Sequence, residues 1–186
     1  MYNPQITINR PGDAHELTFS CYRRYKLFSK EYVRKLFLKS LAEARKKWRF
    51  EVWAYVIMPS HVHLLLHPLS NSYNISSIIK DIKQPVSRAV LKQLRQNAPG
   101  TLKLLLHSEK DGKPRYCFWQ PGKGYDRNLY TAKAINASIR YMHANPVRAR
   151  LCECELDWPS SSARWYADIG DAEFEVDRCN IFIQSK

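Results

Sequence analysis

The tightest constraint on this chain is a hairpin written in apolar residues. Phe50 to Met58 (FEVWAYVIM) carries a single charged residue, Pro59-Ser60 turns the chain, and His61 to His67 (HVHLLLH) returns with an unbroken leucine run. A nearly all-apolar strand reads as buried, and the histidine-bearing strand that pairs with it and runs on into leucines reads as a central strand. The run is also far too short to span a bilayer. The two histidines at the start of the second strand are therefore polar groups placed at a central position, where an unneeded polar group is costly.

The flanking segments supply the rest of a small α+β domain. His15 to Arg24 (HELTFSCYRR) reads as a strand whose period-two set is Leu17, Phe19 and Cys21. Val33, Leu36, Phe37, Leu41, Ala44 and Trp48 recur at helical spacing, predicting a helix over 30–48 capped by Ser29. A polar loop over 71–77 leads into a second helix, about 78–96, with Ile78, Ile82, Val86, Ala89 and Val90 as its stripe. Pro85 inside it predicts a kink or a break. Pro-Gly, Asp-Gly and Lys-Pro signals make 97–114 a protruding loop or small hairpin, 115–119 another strand, and 120–130 a glycine-containing loop. Thr131 caps a third helix to about Ala144, where Asn145-Pro146 stops it. This order gives an antiparallel sheet with helices packed on one face and the other face free, or partly covered, for a ligand. RNA-recognition modules share the order, so the fold does not select a function. The domain is expected over 15–165, between an N-terminal arm (1–14) and an acidic C-terminal tail (166–186).

Charge narrows the partner. Of the 30 Lys+Arg and 17 Asp+Glu residues, residues 1–152 hold a net +18 and residues 153–186 a net −5. A basic body of this kind suits a polyanion, nucleic acid first and an anionic membrane surface second. The start lacks a signal-peptide pattern, and the five cysteines are odd in number with no C-x-x-C pair. Reduced thiols in a cytoplasmic protein without membrane attachment are the expectation.

His61 and His63, at i and i+2 of a strand, point to the same side and can converge on one divalent ion. Packed strand histidines would show the same spacing. Two neutral imidazoles leave a metal with several open positions, which suits a catalytic ion that accepts a phosphate oxygen. In the third helix, Ile135, Ile139 and Met142 form the apolar stripe. Tyr141 lies off that stripe, flanked by the small residues Ala134, Ala137 and Ser138, with Asn145 one turn on. A phenol with clear space and a carboxamide beside it can be a nucleophile and a metal ligand, or a surface tyrosine near a helix end. A phenol attacks well only when its proton is taken or a cation stabilises the developing charge.

Four blocks of the sequence resemble the REP-associated tyrosine transposases, relatives of the single-tyrosine HUH transposases. They are Met58-Pro59-Ser60-His61-Val62-His63-Leu64-Leu65, Phe118-Trp119-Gln120 with Tyr125-Asp126-Arg127, Tyr141-Met142-His143-Ala144-Asn145-Pro146-Val147-Arg148-Ala149, and Asp157-Trp158-Pro159-Ser160-Ser161-Ser162. The resemblance implies an HUH, ferredoxin-like fold in which His61 and His63 ligate Mg2+ or Mn2+. It implies Tyr141 as the nucleophile that leaves a 5′-phosphotyrosine and a free 3′-hydroxyl in single-stranded hairpin DNA. It places Asn145 where relatives supply a further polar ligand, often glutamine. Ser60 stands where asparagine is common. No obligatory protein partner is implied, and monomers and homodimers both occur.

Phosphate contacts are expected from Lys80, Lys83, Arg88, Lys92 and Arg95 on the second helix, Lys123 and Arg127 in the glycine loop, and Arg148 and Arg150 after the third helix. Trp119, Tyr125 and Tyr130 are the candidates to stack on unpaired bases, although Trp119 equally reads as core. Two other functions stay open on the residues alone: a nucleic-acid-binding module without catalysis, and a phosphoesterase in which His61 and His63 hold a metal that activates water.

Overall fold

A computed structural model describes residues 8–122, 124–169 and 173–179. The apolar hairpin forms as read: β2 (Phe50–Met58) and β3 (His61–Pro68) pair antiparallel, with Met58 opposite His61 and Val56 opposite His63. On the other side of β3 lies β1 (Ala14–Ser20), with Thr18 opposite His63. Beyond β1 lies β6 (Tyr125–Leu129), with Arg127 opposite Glu16 and Tyr125 opposite Thr18. The sheet order is β2-β3-β1-β6. Strand alternation then puts Glu16, Thr18, Ser20, His61, His63, Tyr125 and Arg127 on one face, and Leu17, Phe19, Val62, Leu64 and Leu66 on the other.

Two helices cover the apolar face. In α1 (Glu31–Trp48), Val33, Phe37, Leu41 and Ala44 are buried, and in α2 (Ile75–Asn97), Ile78, Ile82, Val86 and Val90 are buried. The stripes match the sequence periodicity. The starts do not. Ser29 sits in a short turn and Lys30 precedes α1 without a side-chain cap bond, whereas Asn74 caps α2 by accepting from the Ser77 amide at 2.9 Å. α2 also runs unbroken through Pro85. A proline here deprives the Asp81 carbonyl of its helical donor. The buried Ser40 hydroxyl of α1 supplies one instead, donating to the carbonyls of Asp81 (3.2 Å) and Ile82 (2.8 Å).

After α2 come α3 (Pro99–Leu104) and the hairpin of β4 (Leu106–Lys110) and β5 (Lys113–Tyr116). Its turn residues, Asp111 and Gly112, both have positive φ (52° and 68°), the conformation a two-residue hairpin turn requires. The strand expected over 115–119 is corrected by this arrangement. β5 pairs with β4 alone, and Trp119 makes one isolated bridge to Cys21. The fourth strand of the main sheet is β6, inside the expected loop. β6 is polar (YDRNL) because it is an edge strand whose side chains serve hydrogen bonds and an open face rather than the core.

The opposite face is partly covered by α4 (Ala132–Arg148), capped by Thr131, whose hydroxyl accepts from the Ala134 amide at 3.2 Å. The helix passes the expected stop and carries Pro146 within its last turn, where the proline deprives the Met142 carbonyl of its helical donor. The Trp158–Ser162 block ties this side together. Ser160–Ser162 run alongside the outer edge of β2, with Ile57 N–H donating to the Ser160 carbonyl and Ser162 N–H to that of Tyr55. Trp158 Nε1 donates to the Ile57 carbonyl at 3.0 Å. The Ser162 hydroxyl meets His143 Nε2 at 2.8 Å, fastening α4 to the edge of β2. A last helical turn, α5 (Ala163–Tyr166), follows. Among the described residues the five cysteines form no disulfide, and no helix is long and apolar enough to cross a membrane.

Candidate active site

The polar face of the sheet and α4 enclose an open cleft of about 580 Å³, lined by Glu16, Thr18, His63, Tyr125, Arg127, Ala137, Ser138 and Tyr141. Its floor is β3, β1 and β6, and its wall is the small-residue side of α4. The His61 and His63 rings lie 4.9 Å apart, near perpendicular, and the His63 ring is 6.5 Å from that of Tyr141. Residues separated in the sequence by two helices and three strands thus meet. Tyr141 is 46% exposed and open to a polymer-sized partner, whereas His63 is 8% exposed.

Each imidazole has one nitrogen engaged. His63 Nδ1 is 3.1 Å from the Thr18 hydroxyl, and His61 Nδ1 is 3.2 Å from that of Ser60. His63 Nε2 is buried and has no hydrogen-bond partner among the described residues. Burial pushes the pKa of both histidines down to about 4, helped by the nearby Arg24 charge and, for His63, by His61. Both are therefore neutral at pH 7, the form that ligates a metal. An orphaned buried nitrogen beside a second neutral imidazole fits a metal ion. Among the described residues, no group of three or more His, Cys, Asp or Glu side chains converges as a metal cluster.

The other expected residues divide. Arg148, brought onto α4 by the helix's extra turn, lays its guanidinium 4.8 Å from the centre of the Tyr141 ring. Asn145 shares the helix side of Tyr141, and its Nδ2 donates to the Tyr141 carbonyl at 2.9 Å. Tyr125 and Arg127 line the cleft, with Arg127 Nε donating to Glu16 Oε2 at 2.9 Å. Lys80 and Lys83 lie on the far side of the sheet, and Arg88 is exposed on α2. Lys123 lies outside the described residues. Trp119 is a correction: it packs edge-on against Phe19 and Phe37, is 8% exposed and donates its indole N–H to the Lys83 carbonyl. A ring held in that way is not free to stack on a base.

Two cleft residues escaped the sequence reading, and a third, Ser138, was read there only for its small size. Glu16 is a buried carboxylate, Thr18 orients His63, and Ser138 directs a buried hydroxyl without a partner. The signal for the first two was present. In HELTFS the polar set Glu16, Thr18 and Ser20 alternates with Leu17 and Phe19, so one strand side is polar throughout.

Known proteins resemble this chain in sequence and in fold. The IS200-like transposase family matches residues 14–107, which include the histidine pair but end before Tyr141. A Haemophilus influenzae protein described as a REP-associated tyrosine transposase is 26% identical over 151 residues, covering 81% of this chain and 80% of that one. Among solved structures, a REP-associated tyrosine transposase bound to a REP hairpin superposes with a TM-score of 0.68 at 17% identity, covering 100% of this chain and 99% of the other.

Proposed function

The chain belongs to the IS200-like transposase family, and from that premise we propose that it is a tyrosine-dependent strand transferase acting on single-stranded DNA beside a REP-like hairpin. The observation that carries the reading is the meeting of exposed Tyr141 with the neutral His61–His63 pair across one open cleft. The basic body of the chain and the hairpin held by the related solved structure support DNA as the partner.

Tyr141 Oη attacks the scissile phosphorus. The new O–P bond forms as the P–O3′ bond breaks, leaving the 5′-phosphate on the tyrosine and a free 3′-hydroxyl. The phenol gives up its proton and the leaving 3′-oxygen gains one. The small side chains of Ala137 and Ser138 leave room along α4 for the DNA backbone, and Tyr125 and Arg127 line the path across the sheet. Arg148 holds positive charge on the ring that becomes a phenolate in the return step. His63 Nε2 and His61 would hold Mg2+ or Mn2+, with Thr18 fixing the His63 ring. Asn145 would add only its Oδ1, since its nitrogen is engaged with the Tyr141 carbonyl. When bound, the ion polarises the scissile phosphate and offsets the charge that develops there.

The test is a denaturing gel of protein mixed with labelled single-stranded hairpins, with manganese or EDTA, beside Tyr141→Phe and His63→Ala. A metal-dependent protein–DNA adduct, absent from both variants, is expected. Cleavage that persists in Tyr141→Phe without an adduct would assign the chemistry to metal-activated water. Binding with neither cleavage nor adduct would leave a DNA-binding module.

A further inference from the structure

The face of the sheet opposite the histidines holds a second cavity, of about 650 Å³, between α2, the β4–β5 hairpin and β6. That size suits a small ligand or one nucleotide. Asp126 enters it from β6, at the strand position between Tyr125 and Arg127, and so faces away from the cleft. Its side chain is 7% exposed. Oδ1 accepts from His15 Nδ1 at 2.8 Å, and His15 Nε2 is in turn 2.8 Å from the Tyr73 hydroxyl, so the carboxylate is held in place. Oδ2 is buried and has no hydrogen-bond partner among the described residues. A buried carboxylate oxygen left so is expensive unless something arrives to donate to it.

The same cavity holds a cation without a carboxylate partner among the described residues. Lys83 Nζ sits 5.3 and 5.4 Å from the ring centres of Phe19 and Trp119, and among the described residues no carboxylate lies within ion-pair distance of it. Burial weakens its hold on its proton. Lys80 and Arg115 add charge at the cavity wall. An unsatisfied acceptor and a cation with no carboxylate partner among the described residues, built into one cavity without pairing to each other, are the complement of a ligand that carries both an N–H donor and an anion. A nucleotide is such a ligand; a simple anion would leave Asp126 unsatisfied.

We propose that this cavity is a second DNA subsite, taking one unpaired nucleotide near the cleavage point, with Asp126 Oδ2 accepting from an exocyclic amino group of its base and Lys80 and Lys83 facing its phosphate. The proposal rests on the single-stranded DNA reading above and adds a base preference to it. The route is short. Among the described residues β6 is the edge of the sheet, with Tyr125 and Arg127 on the cleft side and Asp126 behind, so a DNA strand crossing that edge passes from one site to the other. Cytosine and thymine discriminate cleanly, because position 4 of the ring is an amino donor in one and a carbonyl acceptor in the other. The thymine oxygen would face the Asp126 carboxylate without a proton between them.

The experiment is fluorescence-anisotropy binding of oligodeoxycytidylate and oligodeoxythymidylate of equal length to the whole protein in EDTA, where cleavage does not interfere. The cytidylate should bind about tenfold more tightly, the value of one hydrogen bond to a charged group. Asp126→Asn keeps an acceptor for His15 and turns a donor into the cavity, so it should erase or invert the preference. Lys83→Gln should weaken both oligomers alike and keep their ratio. An oligomer of 2-pyrimidinone deoxynucleotides, cytosine without its amino group, should bind as weakly as the thymidylate, a result that needs no variant to fold. Equal binding of the cytidylate and thymidylate, or a ratio unmoved by Asp126→Asn, overturns the subsite and leaves the DNA reading intact. Binding of neither oligomer at low salt overturns both.

Discussion

Ser40→Ala tests whether α1 sustains α2 at its proline. The Ser40 hydroxyl donates to two carbonyls, but they are not equivalent. The Ile82 carbonyl keeps its helical donor at Val86, whereas Pro85 leaves the Asp81 carbonyl with the serine in place of a helical amide. Ser40 is 3% exposed, so its removal strands Asp81 rather than handing it fully to water. Losing the bond and leaving a part-buried acceptor should cost about 1–2 kcal/mol, or about 2–8 °C in Tm for a chain of this size. In a Pro85→Ala background the Asp81 carbonyl regains a helical N–H, and Ser40→Ala should then cost only about 0.5 kcal/mol. Urea unfolding of the four proteins gives the cycle directly, with an expected coupling of about 1 kcal/mol. Additivity within about 0.3 kcal/mol would refute the argument, since it would mean that the serine does nothing for the carbonyl the proline frees.

Three further outcomes follow from the site. Burial holds His143 at a pKa of about 4, below its ordinary 6.5, so the folded state resists its protonation and its contribution is full above pH 6.5 and lost as pH falls toward 4. Between pH 7 and pH 5 the wild type should therefore lose about 2 kcal/mol more than His143→Gln in urea titrations, and equal losses would remove the role given to this histidine in fastening α4. Thr18→Val keeps the strand shape but deletes the partner of His63 Nδ1, and manganese affinity measured by electron paramagnetic resonance should drop about tenfold; an unchanged affinity would separate Thr18 from the metal site. Gly124 has φ +76° and a Cβ there would lie 2.9 Å from the Thr18 carbonyl, so Gly124→Ala should displace β6 from β1 and destabilise the fold by more than about 1 kcal/mol, seen as a lower urea midpoint, while a midpoint equal to wild type would contradict the close approach.

The parts legible in the sequence are those set by local periodicity. The β2–β3 hairpin, the stripes of α1 and α2 and the Thr131 cap follow from apolar spacing and one hydroxyl, because each is a property of residues within a turn or two of one another. The side-by-side imidazoles of His61 and His63 are equally local, since a strand alternates whatever it packs against. Elements failed where a distant group decided them. Pro85 does not break α2 because a serine from α1 answers for it, and β6 is a strand because Glu16, Thr18 and His15 wait beside it, not because YDRNL favours extension. The sequence by itself determined that this chain would carry a two-histidine strand and a tyrosine on a small-residue helix side. Only the tertiary structure decided that they share a cleft, that Arg148 reaches the tyrosine, that Trp119 is core and that Asp126 opens a cavity behind. Those outcomes depend on which faces of four paired strands meet which helices, and pairing across the chain is written in no single segment of it.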